Sequence, residues 1–125
     1  MAKSKAKILV VDDNNGIRAA LGLLLPMHFA QVELIPSPKE LVSRLADFRP
    51  DVVLLDMNFH TDINTGNEGL FWLSEIKKRC EDVEVVLFTA YADIQLAVEG
   101  MKRGAFDFVV KPWDNENLIE ILKAA

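Results

Sequence analysis

"DVVLLDMNFHTDINTGNEGLFWL", Asp51 to Leu73, decides how the rest of the chain is read. An unbroken apolar run, Val52 to Leu55, delivers one carboxylate, Asp56; a long and mostly polar stretch then follows before the apolar pattern resumes at Leu70. A short Val/Leu run with no polar alternation is the pattern of a strand buried on both faces, which is the rule in parallel sheets. From Leu70 the spacing changes to that of a helix, with Leu70, Leu73 and Ile76 on one side and Asn67 as its cap.

The same unit recurs on either side. "AKILVV" (6–11) is a β-branched strand ending in the acidic pair Asp12 and Asp13. Asn14 or Asn15 caps a helix carrying Ile17, Ala20, Leu21, Leu24 and Leu25, and Pro26 ends or kinks it. "QVELI" (31–35) is a weaker strand. Ser37, Pro38 and Glu40 then form a start signal for a helix whose face is Leu41, Leu45 and Phe48. "VEVVLFTA" (83–90) ends near Thr89. Asp93 caps a helix predicted to bury Ile94, Ala97, Val98 and Met101, with Gly104 just past its end. "AFDFVVK" (105–111) ends at Lys111, and Asp114 caps a last helix with Leu118, Ile119, Ile121 and Leu122 inside. Five strands, each followed by a helix, imply a parallel sheet covered on both faces, an open doubly wound α/β sandwich. Five units are too few for a closed eightfold barrel.

Composition narrows the function. The chain has 125 residues, half of them hydrophobic and a quarter charged, which fits one soluble domain with a core of its own. The net charge of −5 argues against direct contact with nucleic acid or an anionic membrane. Lys3, Lys5 and Lys7 read as a solvated basic terminus. No signal peptide or membrane span is evident. A single cysteine, Cys80, excludes an internal disulfide and fits a reducing cytoplasm.

In an open α/β sheet the site forms at the carboxyl ends of the strands. Those ends bring Asp12, Asp13, Asp56, Thr89 and Lys111 to one rim. Each alone has an ordinary explanation, because strand ends are often polar and Asp caps helices. Together they point to chemistry. Three carboxylates in close range repel one another, and one lysine cannot neutralise them all. All-oxygen ligands suit Mg2+, and a hydroxyl and an ammonium beside such a site suit an incoming phosphoryl group.

"VDD" (11–13), the strand-ending Asp56, "TAYAD" from Thr89 and "KPW" from Lys111 together resemble the receiver domain of two-component response regulators, over essentially the whole chain. The resemblance implies the flavodoxin-like strand order 2-1-3-4-5. It implies that residues 1–125 are a single receiver domain, whole or the N-terminal part of a longer regulator. It further implies that Asp56 accepts a phosphoryl group from a sensor histidine kinase or phosphotransfer protein. Asp13 would ligate magnesium directly and Asp12 mainly through water, with Asp56 and the main-chain carbonyl of Asn58 completing the protein ligands. Lys111 would pair with the acceptor and then with the phosphoryl oxygens. Thr89 would move to meet them, and Phe108 would be the aromatic switch position. The readout surface would be the fourth helix, fifth strand and fifth helix, with Gln95, Glu99, Lys102 and Arg103 exposed; a homodimer through it is one expected assembly. "TAYADIQLAVEGMKRGAFDFVVKPWD" looks most like receivers whose output is a transcription-activating ATPase.

The stretch after Asp56 departs from the family. A Pro is usual four residues on, where this chain has His60, and the glycine that opens the third helix is matched by Gly69. "HTDINTGNE" therefore stands in place of a tight turn, an insertion of roughly five residues, and His60 and Asp62 become candidates to meet the phosphoryl group, water or a metal. A rival reading, an aspartyl phosphatase of haloacid-dehalogenase type, needs a second Asp two residues after the nucleophile as general acid. Asn58 stands there instead.

Overall fold

The computed structural model describes residues 4–57, 68–90 and 93–125. Its strands are β1 (Ser4–Val11), β2 (Phe29–Ile35), β3 (Val52–Asp56), β4 (Glu84–Ala90) and β5 (Asp107–Lys111). They form one parallel sheet in the order β2-β1-β3-β4-β5, as the resemblance implied. The helices are α1 (Asn15–Leu24), α2 (Leu41–Asp47), α3 (Glu68–Arg79), α4 (Ile94–Lys102) and α5 (Asn115–Ala124).

Alternation along each strand divides the core in two. Leu9, Val11, Val53, Leu55, Val85 and Leu87 face α2, α3 and α4. Ile8, Val10, Leu54, Val86, Phe88 and Val109 face α1 and α5. All five residues of β3 are buried, which is why its sequence shows no polar alternation.

Capping follows the side chains read from sequence, with two adjustments. Asn14 accepts from the Ile17 N–H at 3.0 Å and Asp114 from the Glu116 N–H at 3.0 Å, each satisfying a helix-start donor. Ser37 accepts from the Lys39 N–H at 3.2 Å, but Pro38–Glu40 form a 3-10 turn and α2 proper starts at Leu41. Asp93 occupies the position before α4 without a side-chain cap bond. Pro26 sits in a 3-10 turn, Leu25–Met27, that closes α1, and Gly104 takes a left-handed φ of 106° past α4.

Two predicted faces need correction. Ala20 of α1 is exposed. In α4 the buried residues are Ala97 and Gly100, while Val98 and Met101 are 45% and 37% exposed. Gly100 is the physical reason: a Cβ there would collide with Leu87 Cδ1, so the helix axis lies close against β4 and the glycine side turns inward. Gly69 has the same role in α3. A Cβ on it would stand 2.7 Å from Met57 Sδ and 2.9 Å from Met57 Cα. The start of α3 is thereby seated on the residue that follows Asp56. The Asn67 cap lies outside the described residues.

Candidate functional site at the carboxyl rim of the sheet

Strand register builds the site. Asp56 is the last residue of β3 and pairs with Phe88 of β4. Val11 pairs with Leu55, so the next step along both strands sets Asp12 beside Asp56. Ala90 pairs with Lys111, which brings the end of β5 to the same level. Asp12, Asp56 and Thr89 are the buried polar residues at this rim, and Asp13 is half-buried.

The carboxylates are held by their surroundings. The Asp12 N–H donates to Ile35 O at 3.1 Å, and Asp12 Oδ1 accepts from the Asn14 N–H at 2.9 Å. The Arg18 guanidinium reaches back from α1 to donate to Asp12 O at 2.8 Å and also to Asn15 Oδ1. Past Asp56, the Met57 N–H donates to Phe88 O at 2.9 Å, continuing the ladder one residue beyond the strand.

Lys111 Nζ lies between the two buried acids. It donates to Asp56 Oδ1 at 3.0 Å and stands 2.9 Å from Asp12 Oδ2. The second contact is an ion pair without hydrogen-bond alignment, which leaves Asp12 Oδ2 fully buried with no aligned donor. Burial of the ammonium pulls its pKa down, but the attraction of the Asp56 and Asp12 carboxylates outweighs that, and the net direction is up from 10.5. Lys111 therefore stays cationic across the neutral range.

Oxygen atoms of Asp12, Asp13 and Asp56 all lie within 4.8 Å of one another. A set of carboxylate oxygens, one of them buried without an aligned donor, fits a small hard divalent cation. Thr89 Oγ1 faces two main-chain acceptors, Ala90 O at 3.3 Å and Asp93 O at 3.4 Å, so its hydroxyl is engaged with the segment leading into α4. Phe108 is half-buried on the α4 side of β5, opposite Leu87 in register. Gln95, Lys102 and Arg103 are exposed, and Glu99 pairs with Arg103 at 3.2 Å.

Asp12, Asp13, Asp56 and Lys111 are thus brought together as the sequence predicted, with Thr89 at the end of the adjoining strand. Asn58, His60 and Asp62 lie outside the described residues. Arg18 and Phe88 border the rim and have no role in the sequence reading, and Trp113, which packs on Phe88, enters it only as the last residue of "KPW". Phe88 reads as one more core aromatic in an apolar strand, and Arg18 as one more helix-surface cation. Among the described residues no helix is long and apolar enough to cross a membrane.

The sequence matches the response regulator receiver domain family over residues 8–123. It is 32% identical to the regulatory protein AtoC of Escherichia coli over 95% of this chain and 25% of that protein. It is 31% identical to the DNA-binding transcriptional regulator NtrC of Salmonella typhimurium over 94% of this chain and 24% of that protein. The chain spans about a quarter of the length of these curated relatives. The crystal structure of the N-terminal signal receiver domain of a two-component system response regulator from Bacteroides fragilis is 56% identical, with a TM-score of 0.88, covering 97% of this chain and 96% of that one. Matched along nearly its whole length in sequence and in fold, the chain belongs to the response regulator receiver domains.

Proposed function

We propose that Asp56 is the phosphoacceptor of a two-component signalling pathway. The observation that carries this reading is the buried Asp56 carboxylate with the Lys111 ammonium 3.0 Å away and a second buried acid, Asp12, on the other side of that ammonium. A carboxylate oxygen of Asp56 attacks the phosphorus of a phosphohistidine on a sensor kinase or phosphotransfer protein. The new O–P bond forms as the P–N bond breaks; the electron pair returns to the imidazole nitrogen, which takes up a proton. Lys111 then has phosphoryl oxygens to pair with in place of the free carboxylate.

Asp12, Asp13 and Asp56 would hold a magnesium ion, with the Asn58 carbonyl as the further protein ligand. Bound there, the ion supplies positive charge to the phosphoryl oxygens and relieves repulsion among the three acids. The phosphoryl group adds charge and acceptor oxygens at one point. Thr89 exchanges its main-chain acceptors for them, which loosens the segment into α4, and Phe108 packs inward as it goes. The readout is the α4/β5/α5 surface, through which the protein controls its output and which can pair two copies. With transcriptional regulators as relatives, residues 1–125 act as the receiver of a longer cytoplasmic regulator that controls transcription. At a net charge of −5 the receiver leaves nucleic acid to the output. The domain catalyses only its own phosphorylation and slow dephosphorylation.

The test is labelling by a phosphorylated kinase or by acetyl phosphate. The expected result is at most one hydroxylamine-sensitive phosphoryl group per chain, dependent on Mg2+ and absent in Asp56→Asn. Sustained turnover of unrelated phosphate esters would contradict the assignment.

A further inference from the structure

The Lys111 ammonium has a third neighbour that is not an acid. It lies over the face of Phe88, 4.8 Å from the ring centroid. Phe88 is fully buried and is the register partner of Asp56. Its ring is met by that of Trp113 at 61° with the centroids 5.3 Å apart, and the Trp113 indole N–H donates to Asn115 Oδ1 at 2.7 Å. The ring under the ammonium is therefore fixed from behind by a second ring that is itself anchored to the start of α5.

We infer that Phe88, backed by Trp113, is a positioning residue for Lys111, keeping the ammonium at the rim between Asp12 and Asp56. The inference rests on the phosphoacceptor reading for its functional consequence, and on the contact geometry for its physical one. A lysine ammonium sits on a flexible four-carbon stem with little directional preference of its own. The two acids that attract it are also the oxygens that a divalent cation would draw on. An aromatic face attracts a cation through its quadrupole, most strongly when water is excluded, and it is no ligand for a hard metal. Phe88 thus offers Lys111 an attraction that metal binding leaves in place and that adds no negative charge to an already acidic site. Leucine or methionine would fill much of the same space without attracting the charge.

Site-specific replacement of Phe88 by 4-fluoro- and then 3,4,5-trifluorophenylalanine weakens the quadrupole while nearly keeping the shape. Two quantities are measured in the full chain. The first is the phosphorylation rate with acetyl phosphate at saturating Mg2+. The second is the NMR position of the Lys111 ε-methylene protons, which the Phe88 ring current shifts upfield. The expected result is a graded fall in rate along the series, about three- to tenfold in all, with Phe88→Leu at least as slow and its Lys111 protons back at ordinary lysine positions. A rate that stays flat across the fluorinated series, or Lys111 protons unshifted in the parent, would overturn the inference. Labelling that persisted in Asp56→Asn would sink the phosphoacceptor reading instead, and the lysine protons would still decide whether the ring holds the ammonium.

Discussion

Lys111 and Asp12 form an ion pair 2.9 Å long in which the acid is wholly buried and the lysine side chain is only 19% exposed. The same ammonium serves Asp56, so its removal leaves two adjacent carboxylates without their shared cation. Breaking a buried pair from one side is far costlier than replacing both members. Lys111→Met should therefore lower the stability of the metal-free protein by roughly 2–4 kcal/mol, a little below the ~3–5 kcal/mol usual for a fully buried pair because the lysine is not fully enclosed. Thermal unfolding with and without Mg2+ checks it: added Mg2+ should restore more stability to Lys111→Met than it gives the parent. Equal gains in both would count against a shared role of cation and lysine.

The three acids should bind the metal as a unit. Asp13→Asn removes one negative ligand from oxygens that converge within 4.8 Å. Mg2+ affinity, read by titration calorimetry, should fall at least tenfold, an effect of about 1.4 kcal/mol, while the metal-free melting temperature stays the same or rises as repulsion is relieved. An unchanged affinity would place the ion elsewhere.

Thr89 Oγ1 is engaged with the Ala90 and Asp93 carbonyls. Thr89→Val keeps the shape and removes the donor. The expected loss of stability is about 1 kcal/mol, seen as a lower urea midpoint at unchanged slope. Under the proposed switch, the same variant should still accept a phosphoryl group or bind fluoroberyllate, yet show much smaller NMR shifts in α4. Full α4 shifts without the hydroxyl would remove Thr89 from the coupling.

Gly69 has no room for a methyl group, because Met57 atoms stand 2.7 to 3.0 Å from where a Cβ would lie. Gly69→Ala should destabilise by about 1–3 kcal/mol, the usual range for overpacking. The clash is with one side chain and its backbone, so Met57→Ala should relieve part of it. The double variant should be more stable than the two single losses predict. Strict additivity would mean that the strain lies elsewhere.

Most of this architecture is legible in the sequence because strand burial and strand ends leave direct marks. Val52 to Leu55 show no alternation since both sheet faces are covered, and Asp12, Asp56 and Lys111 are conspicuous as charges closing apolar runs. The orientation of α4 was less legible. Ile94, Ala97, Val98 and Met101 fit a helical stripe as well as Ala97 and Gly100 do; only the close approach of Gly100 to Leu87 decides between them. Ala20 misled for a related reason, since alanine is at home on either side of a helix. The contact of Phe88 with Lys111 was invisible because it depends on which face of β4 the ring takes and how far the lysine stem reaches back across it. Pairwise geometry of that kind has no local sequence pattern.

Asp56, the proposed phosphoacceptor, is one of three neighbouring carboxylates, and chemical trapping tells them apart. Reduction of the labelled protein with borohydride converts an aspartyl phosphate to homoserine, and peptide mass spectrometry then locates it. The expected result is homoserine at position 56 and at no other position. Homoserine at position 12 or 13, or a stable phosphate that borohydride leaves untouched, would contradict it.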